Sequence, residues 1–357
     1  MTSHSLNVRA ITIRWCAAVA ILIATLSCDT FGPEPKPLPL PAVPEAPQVP
    51  QVPTTPTGPE VPELSETPMV PIMRGQIVFL DPWEGAIFVA DSTGRRLQHV
   101  NQTSGALDLA VSPDGKNIAF SKYCDPSCSQ MYLMTVGGTD PLLLQTGDTR
   151  DHPAHPTWSP DGKRIAFVQQ GIGTTANHIF SIHADGTGVT QLTRSGYNGY
   201  PEWSPDGSRI LLTHSEDGPP GSLRYGIFEM DPDGSNLHQL RQGFRDSFPT
   251  WSPDGSRIAF IDLNPEGYVF SLVVMNADGS NATTLKTSPD WTAAARPAWS
   301  PDGRYVTFIV RSASRMCEDT WDYGMVPCGQ SAQRVGLDGV IDPMWELPSA
   351  SNLVWQR

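Results

Sequence analysis

One tetrapeptide, Ser-Pro-Asp-Gly, occurs five times in this chain of 357 residues and constrains its fold more than any other feature. The copies are separated by intervals of 47, 45, 48 and 48 residues and begin at Ser112, Ser159, Ser204, Ser252 and Ser300. A period in the forties is typical of solenoid and propeller repeats. Pro presets φ, Asp bonds the local backbone and Gly accepts a positive φ, so each copy predicts a tight turn.

The residues around each tetrapeptide predict four strands per repeat. Val111 directly precedes the first copy, and a Trp fills the same place before the others: Trp158, Trp203, Trp251 and Trp299. Seven residues after this place comes an apolar triplet such as Ile258–Phe260, which indicates a strand covered on both faces. A third strand, an Asp-Gly turn and a short fourth strand follow. Four antiparallel strands with no helix between repeats predict a propeller blade.

The two ends of the repeat region predict how the ring closes. Residues 75–100 contain strands 2, 3 and 4 of a blade without strand 1, while Trp355 falls where a strand 1 Trp belongs. The C-terminal strand 1 is therefore expected to join the N-terminal strands 2–4. The predicted fold class is all-β, a six-bladed β-propeller of four-stranded antiparallel blades over residues 75–357.

These motifs resemble the WD40-like repeats of the TolB-type propeller family, and the resemblance covers about residues 75–357. It implies a six-bladed propeller that binds protein partners at its central tunnel. Some related propellers are gating or substrate domains beside a peptidase domain, and a few are sugar lyases with a bound metal. TolB itself carries a compact α/β domain before the propeller, whereas this chain has a proline-rich segment there.

The N-terminus predicts export. Arg9 and Arg14 precede an apolar run of 13 residues, Trp15–Ser27, which indicates a signal peptide over residues 1–27. Cys28 directly follows the run, in a sequence similar to a bacterial lipobox, so Cys28 is expected to be lipidated. Ordinary signal cleavage without a lipid is the alternative.

A proline-rich segment follows over residues 28–74. Between Pro33 and Pro62 a proline occurs every two or three residues, which prevents helix and sheet and predicts a disordered, extended tether. The chain is therefore predicted to be an exported lipoprotein, periplasmic or on the cell surface and anchored to a bacterial membrane.

The charge balance excludes one class of partner. The chain has 24 Lys and Arg against 37 Asp and Glu, a formal net charge of −13. A nucleic-acid binder needs a basic footprint, so we expect no nucleic-acid partner.

Turns and loops divide the predicted propeller into two faces. The uniform strand 1–2 and strand 3–4 turns define the turn face, and the variable strand 2–3 and strand 4–1 loops define the loop face. Variable loops on a rigid scaffold concentrate binding residues, and aromatic residues with Arg are frequent interface anchors. The expected partner-binding residues are Asp151, His152, His155, Tyr197, Tyr200, Phe244, Arg245, Trp291 and Arg296. Packing of these rings under their own loops is the alternative.

Four cysteines fall in strand 2–3 loops. Cys124 lies four residues from Cys128, and Cys317 and Cys328 share the equivalent loop of another blade. In an exported protein two local disulfides are the simplest pairing. A zinc site would need ligands from non-adjacent blades and is the less favoured interpretation.

Four histidines raise the question of a metal. His152 and His155 lie at the predicted tunnel mouth, and His178 and His214 lie in other loops on the same face. A metal site needs three or four such groups to converge. Loop histidines are more often solvated, so no metal and no cofactor are expected.

The sequence as a whole favours a non-enzymatic propeller, because its length is accounted for without a catalytic domain. The expected function is binding of an envelope protein or peptide through the loop face and tunnel, by a monomer tethered to a membrane. The alternatives are a metal-dependent polysaccharide lyase or hydrolase that uses the tunnel-mouth histidines, and a glycan or small-ligand sensor.

Overall fold

Six four-stranded sheets make up the part of the chain that the structure, a computed structural model, describes. The described residues are 72–81, 85–125, 128–138, 140–147, 152–170, 176–216, 225–264, 269–288, 295–311, 330–348 and 352–356. They belong to the second of two units into which the chain divides, Leu64–Arg357; the first unit, Met1–Glu63, lies outside them. The predicted signal peptide, Cys28 and most of the tether therefore also lie outside the described residues.

Within the described ranges the chain forms strands and turns. The strands are β1 (Ile77–Asp81), β2 (Ala86–Ala90), β3 (Arg96–Val100), β4 (Ala106–Val111), β5 (Asn117–Asp125), β6 (Cys128–Thr135), β7 (Leu142–Leu144), β8 (Ala154–Trp158), β9 (Arg164–Gln170), β10 (Asn177–His183), β11 (Thr190–Gln191), β12 (Tyr197–Trp203), β13 (Ile210–Ser215), β14 (Gly226–Met230), β15 (His238–Gln242), β16 (Ser247–Trp251), β17 (Arg257–Asn264), β18 (Val269–Asn276), β19 (Thr283–Ser288), β20 (Ala295–Trp299), β21 (Tyr305–Arg311), β22 (Gln330–Gly336), β23 (Ile341–Pro348) and β24 (Asn352–Trp355). No helix in these ranges has the length and apolar character needed to cross a membrane.

The strands form six antiparallel blades, which confirms the predicted fold class. Blade 1 has the order β24-β1-β2-β3, and blades 2 to 6 take four consecutive strands each, β4–β7, β8–β11, β12–β15, β16–β19 and β20–β23. The innermost strands are β24, β4, β8, β12, β16 and β20, and they surround the central tunnel. The outermost strands include the shortest ones, β11 with two residues and β7 with three. Short outer strands limit the sheet edge that solvent can reach.

The Ser-Pro-Asp-Gly turns have the same hydrogen bonds in every copy, as the copy at Ser252 shows. Its hydroxyl accepts from the backbone N of Arg257 at 2.9 Å and donates to Oδ1 of Asp254 at 2.6 Å. The N–H of Gly255 donates to the Ser252 carbonyl at 2.9 Å, and Gly255 has a φ of +72°. The serine hydroxyl lowers the pKa of Asp254 to about 2, because it stabilises the ionised carboxylate.

One apolar cluster fills each interface between neighbouring blades. Between blades 5 and 6, for example, Trp299 of β20 packs with Leu272 and Phe308. Each strand 1 Trp is buried in the interface with the preceding blade. The indole N–H of Trp158 donates to the Ala110 carbonyl at 3.2 Å, and that of Trp299 donates to the Thr250 carbonyl at 3.3 Å. These tryptophans therefore join adjacent innermost strands.

Strand β24 closes the ring as the sequence predicts. It pairs with β1 in a register that places Trp355 opposite Ile77. Gln356 extends the closure, because its side-chain amide donates to the Pro113 carbonyl of blade 2 at 2.9 Å. The described chain begins beside this contact, where the N–H of Ile72 donates to the Gly115 carbonyl at 3.0 Å. Both ends are thus fixed to the turn face.

The Trp at a blade interface should be essential for stability. Trp299 is 1% exposed, so Trp299→Ala is expected to lower the free energy of unfolding by about 3–5 kcal/mol, through lost burial and a cavity between blades. Urea denaturation followed by far-UV circular dichroism measures the change. The control Val340→Ala removes a side chain that is 62% exposed and should change stability by less than about 0.5 kcal/mol. Equal effects of the two substitutions would contradict this packing.

Candidate functional site

Each innermost strand has one residue at the loop-face end of the tunnel, three positions before the strand 1 Trp or its equivalent. In blades 3 to 6 this residue lies at a β-bulge and precedes a proline. It has a positive φ in all four cases, 52° at His155, 51° at Tyr200, 53° at Phe248 and 49° at Arg296. Positive φ is uncommon for a residue with a side chain. The bulge re-aims these side chains, so that residues from different blades meet.

We call the six residues at this position the mouth ring: Asp108, His155, Tyr200, Phe248, Arg296 and Asn352. The His155 and Tyr200 rings have centroids 4.6 Å apart, and the Tyr200 and Phe248 rings 4.0 Å apart. The Arg296 guanidinium carbon lies 5.9 Å from the Phe248 centroid. The side-chain amide of Asn352 donates to Asp108 Oδ1 at 3.4 Å. Contacts therefore link all six blades at one level.

Arg296 reaches across the tunnel at this level. Its Nη2 contacts both Asp108 Oδ1 and His155 Nδ1. Because His155 belongs to blade 3 and Arg296 to blade 6, the two residues start from opposite sides of a six-bladed ring. Their contact therefore crosses the tunnel axis.

The charge of Asp108 is compensated within the ring. His155 contacts Asp108 Oδ2 through its backbone N at 3.2 Å and its Nδ1 at 3.1 Å. Burial alone would raise the pKa of Asp108, but the nearby Arg296 and His155 outweigh it and hold that pKa well below its ordinary value. Asp108 is therefore an ionised, hydrogen-bonded carboxylate at neutral pH.

A cavity of about 430 Å³ extends from the mouth ring to the turn face. Its middle wall includes Thr157, Glu202 and Thr250, and the hydroxyl of Thr250 donates to Glu202 Oε1 at 3.4 Å. Prolines of the Ser-Pro-Asp-Gly turns and Arg74 line its far end. The mouth ring therefore separates this cavity from the loop face.

The structure places three of the expected partner-binding residues in the mouth ring and four elsewhere. His155, Tyr200 and Arg296 lie in the mouth ring, while Phe244 and Arg245 lie in the β15–β16 loop, with the Arg245 guanidinium carbon 5.7 Å from the Phe244 centroid. Tyr197 begins β12, and His152 is exposed before β8. Asp151 and Trp291 lie outside the described residues.

Sequence reasoning missed three members of the ring, Asp108, Phe248 and Asn352. A usable signal was present, because all three lie at the same offset from the strand 1 Trp or its equivalent as His155 and Arg296. The offset alone does not predict that these side chains face the tunnel, because the alternation of side chains along a strand does not show where a β-bulge changes their direction.

His178 and His214 lie outside the mouth ring, and the expectation that they lie in loops is wrong, because His178 belongs to β10 and His214 to β13. Asn198 bridges them, with Oδ1 2.9 Å from His214 Nδ1 and Nδ2 3.2 Å from His178 Nδ1. Burial lowers the pKa of both imidazoles, which favours their neutral forms. In the described part of the chain, no group of three or more His, Cys, Asp or Glu side chains is placed to hold a metal ion.

A buried carboxylate lies beside the loop-face residues Phe244 and Arg245. Asp246 is fully buried, and its Oδ2 lies 3.2 Å from Arg241 Nε. Nη2 of the same arginine lies 3.4 Å from Asp262 Oδ2. The pKa of Asp246 is raised to about 7, mainly because burial disfavours the charged carboxylate. The nearby charge of Arg241 lowers this pKa, and the charge of Asp262 raises it further.

One of the two expected disulfides lies in the described residues. Cys124 and Cys128 are joined at the β5–β6 loop, with Cα atoms 5.6 Å apart. Cys317 and Cys328 lie outside the described residues, so their pairing stays a prediction.

Comparison with known proteins identifies the family. The model of the TolB beta propeller domain matches residues 78–267, more than half of the chain. This chain belongs to the TolB beta propeller domain family. No curated protein matches the sequence of this TolB-type propeller.

Solved structures support the same fold for the TolB-type propeller. TolB from Acinetobacter baumannii is 20% identical with a TM-score of 0.61, and the match covers 81% of this chain and 68% of that one. A putative TolB from Agrobacterium tumefaciens is 21% identical with a TM-score of 0.57, covering 77% and 89%. An oligogalacturonate lyase in complex with manganese is 10% identical with a TM-score of 0.50, covering 72% and 69%. At these identities the likeness shows the fold alone.

The ion pair of the mouth ring should be coupled energetically. Arg296→Gln leaves the Asp108 carboxylate, whose side chain is 10% exposed, without its guanidinium, so we expect a loss of about 3 kcal/mol in unfolding free energy. The double variant Asp108→Asn with Arg296→Gln should lose less than the sum of the single variants, by about 1–3 kcal/mol. Urea denaturation provides both numbers.

The control for this cycle is the exposed pair of Lys163 and Asp161, whose Nζ and Oδ2 lie 4.0 Å apart. Lys163→Gln should change stability by less than about 0.5 kcal/mol, since exposed ion pairs contribute little. Strict additivity of the Asp108 and Arg296 substitutions would show that the two residues do not interact.

Asp246 should make stability depend on pH near neutrality. With its pKa raised to about 7, folded Asp246 keeps a proton that the unfolded chain releases near pH 4, so stability falls as pH rises from about 4 to about 7. Asp246→Asn cannot titrate and should remove this part of the pH dependence. Urea denaturation at a series of pH values measures it.

Asp254→Asn is the matched control, because the pKa of Asp254 is lowered to about 2. Its contribution to stability is lost as pH falls below about 4, so the control should change only the acid side of the profile. A wild-type profile that overlays that of Asp246→Asn from pH 4 to pH 8 would refute the prediction.

Proposed function

We propose that this TolB-type propeller is an exported, membrane-tethered and non-enzymatic protein that binds a protein or peptide partner through its loop face and mouth ring. The observation that carries the proposal is the mouth ring itself. Six different side chains, one from each blade, meet at the end of the tunnel where the variable loops also lie. A rigid ring with variable loops around it is a typical arrangement for recognition.

The loop face offers suitable anchors beside the ring. Tyr197 and Phe244 are half-buried, and Arg245 lies over the Phe244 ring. Aromatic residues and Arg are enriched among the residues that dominate interface energies. The disulfide between Cys124 and Cys128 restrains another loop on the same face. These features favour a macromolecular partner over a small ligand.

Export and tethering rest on the sequence. The signal segment, the lipobox-like Cys28 and most of the proline-rich tether precede Ile72, whose N–H donates to the Gly115 carbonyl on the turn face. We expect a lipid-anchored monomer in the periplasm or on the cell surface.

A capture experiment tests the proposal. The full chain, purified from membranes and immobilised, should enrich a specific protein from an envelope extract. The double variant Tyr197→Ala with Phe244→Ala should reduce that enrichment at least about tenfold, because aromatic anchors carry much of the binding energy. Quantitative mass spectrometry of the bound fraction provides the measurement.

A turn-face variant provides the matched control. Lys116→Ala with Lys163→Ala changes two exposed side chains on the opposite face and should leave the enrichment unchanged. Equal enrichment by the wild type and both variants would count against loop-face binding. Stoichiometric metal in the purified protein that is lost on His152→Ala with His155→Ala would instead favour the lyase or hydrolase alternative.

A further inference from the structure

The mouth ring is a variable position within an otherwise recurring motif. In blades 3 to 6 the residues that follow the ring position are similar. A proline comes directly after the ring residue, and the strand 1 Trp and the Ser-Pro-Asp-Gly turn follow it. At the ring position itself all six blades carry a different residue type. Equivalent positions in a closed ring have equivalent surroundings, so six different side chains make the ring asymmetric.

The asymmetry has a defined chemical pattern. Asn352, Asp108, His155 and Arg296 form a polar part, and Tyr200 and Phe248 form an aromatic part. Arg296 belongs to both parts, because its Nη2 contacts Asp108 and its guanidinium lies near the Phe248 ring. A ligand at Arg296 would therefore meet a cation and an aromatic surface together.

The ring carboxylate already has close partners at both oxygens. Asp108 Oδ1 accepts from Arg296 and Asn352, and Oδ2 accepts from the backbone N of His155 and lies 3.1 Å from His155 Nδ1. An ionised carboxylate offers about four lone-pair sites, and most of these already face a partner. A cationic ligand would have to displace one of them.

The donor capacity of the ring is not used up. A guanidinium carries five N–H donors on three nitrogens, and the hydrogen bonds of Arg296 to other described residues run through Nη2. The Arg296 side chain is 21% exposed. The unused donors call for a hydrogen-bond acceptor, and a carboxylate makes stronger hydrogen bonds to a guanidinium than a neutral acceptor does.

We propose that the mouth ring binds the carboxylate of an acidic side chain in a peptide segment of the partner. Arg296 forms a charge-assisted hydrogen-bonded pair with that carboxylate, which is the geometry that guanidinium groups favour. Tyr200 and Phe248 pack against apolar side chains that flank the acidic residue. Asp108 and His155 hold the guanidinium in place and act as positioning residues. This inference rests on the proposed function and adds the chemistry of the bound group.

Two blocked tripeptides test the inference, acetyl-Leu-Glu-Leu-amide and its Gln counterpart, with glutarate as a free small acid. Ligand-observed NMR on the full chain measures their dissociation constants. We expect saturable binding of the Glu peptide, with the Gln peptide and glutarate each at least about tenfold weaker. Equal binding of the two peptides would overturn the assignment of a carboxylate as the bound group. If glutarate bound as tightly as the Glu peptide, the site would recognise a free small acid, and the assignment of a peptide segment as the ligand would be wrong.

Variants locate the binding on the ring. Asp108→Asn with Arg296→Gln removes both charges together, leaves no unpaired buried carboxylate, and should abolish the preference for Glu over Gln. Arg257→Gln, an exposed arginine on the turn face, should keep that preference. Retention of the preference in the double variant would overturn the inference. If capture of the partner depends on the loop face while neither peptide binds, the proposed function stands and this inference falls.

Discussion

The structure depends on how each strand 1 Trp fills the space between its own blade and the one before it. The side chain is buried among the strands of both blades, and in Trp158 and Trp299 the indole N–H also reaches the neighbouring innermost strand. A blade cannot cover its own two apolar faces, so it needs a neighbour on each side. The Trp therefore sets the spacing of the innermost strands around the tunnel.

That spacing decides what the tunnel can hold. Because the innermost strands converge, a bulge before the Trp in each of blades 3 to 6 brings side chains from opposite blades into contact, as Arg296 and His155 show. The positive φ at these positions costs roughly 1–3 kcal/mol per residue and persists only where the surrounding fold enforces it. Packing at the blade interfaces stabilises the fold enough to hold these unfavourable backbone conformations, and the mouth ring forms as a result.

Most of the fold was predictable from the sequence, and the site only in part. Five turn motifs with their Trp residues specify the blades, and Trp355 specifies the closure, because these signals are local and repeat. His155, Tyr200 and Arg296 were expected on the loop face from residue type. Asp108 and Asn352 were not, because Asp108 contacts Arg296 across 188 residues of sequence and Asn352 contacts Asp108 across 244 residues, in each case from another blade. Asp246 was missed for a similar reason, since its burial depends on tertiary packing.

The closure between β24 and β1 also has a consequence for the order of folding. Among the described strands, β1 to β3 are synthesised first and β24 last, so blade 1 remains incomplete while the strands of the other five blades are synthesised. During that time β1 presents an unpaired edge rich in apolar residues, a template for association with other chains. Pairing over such a long sequence separation is intrinsically slow. A newly made chain would therefore benefit from a holding chaperone until β24 arrives.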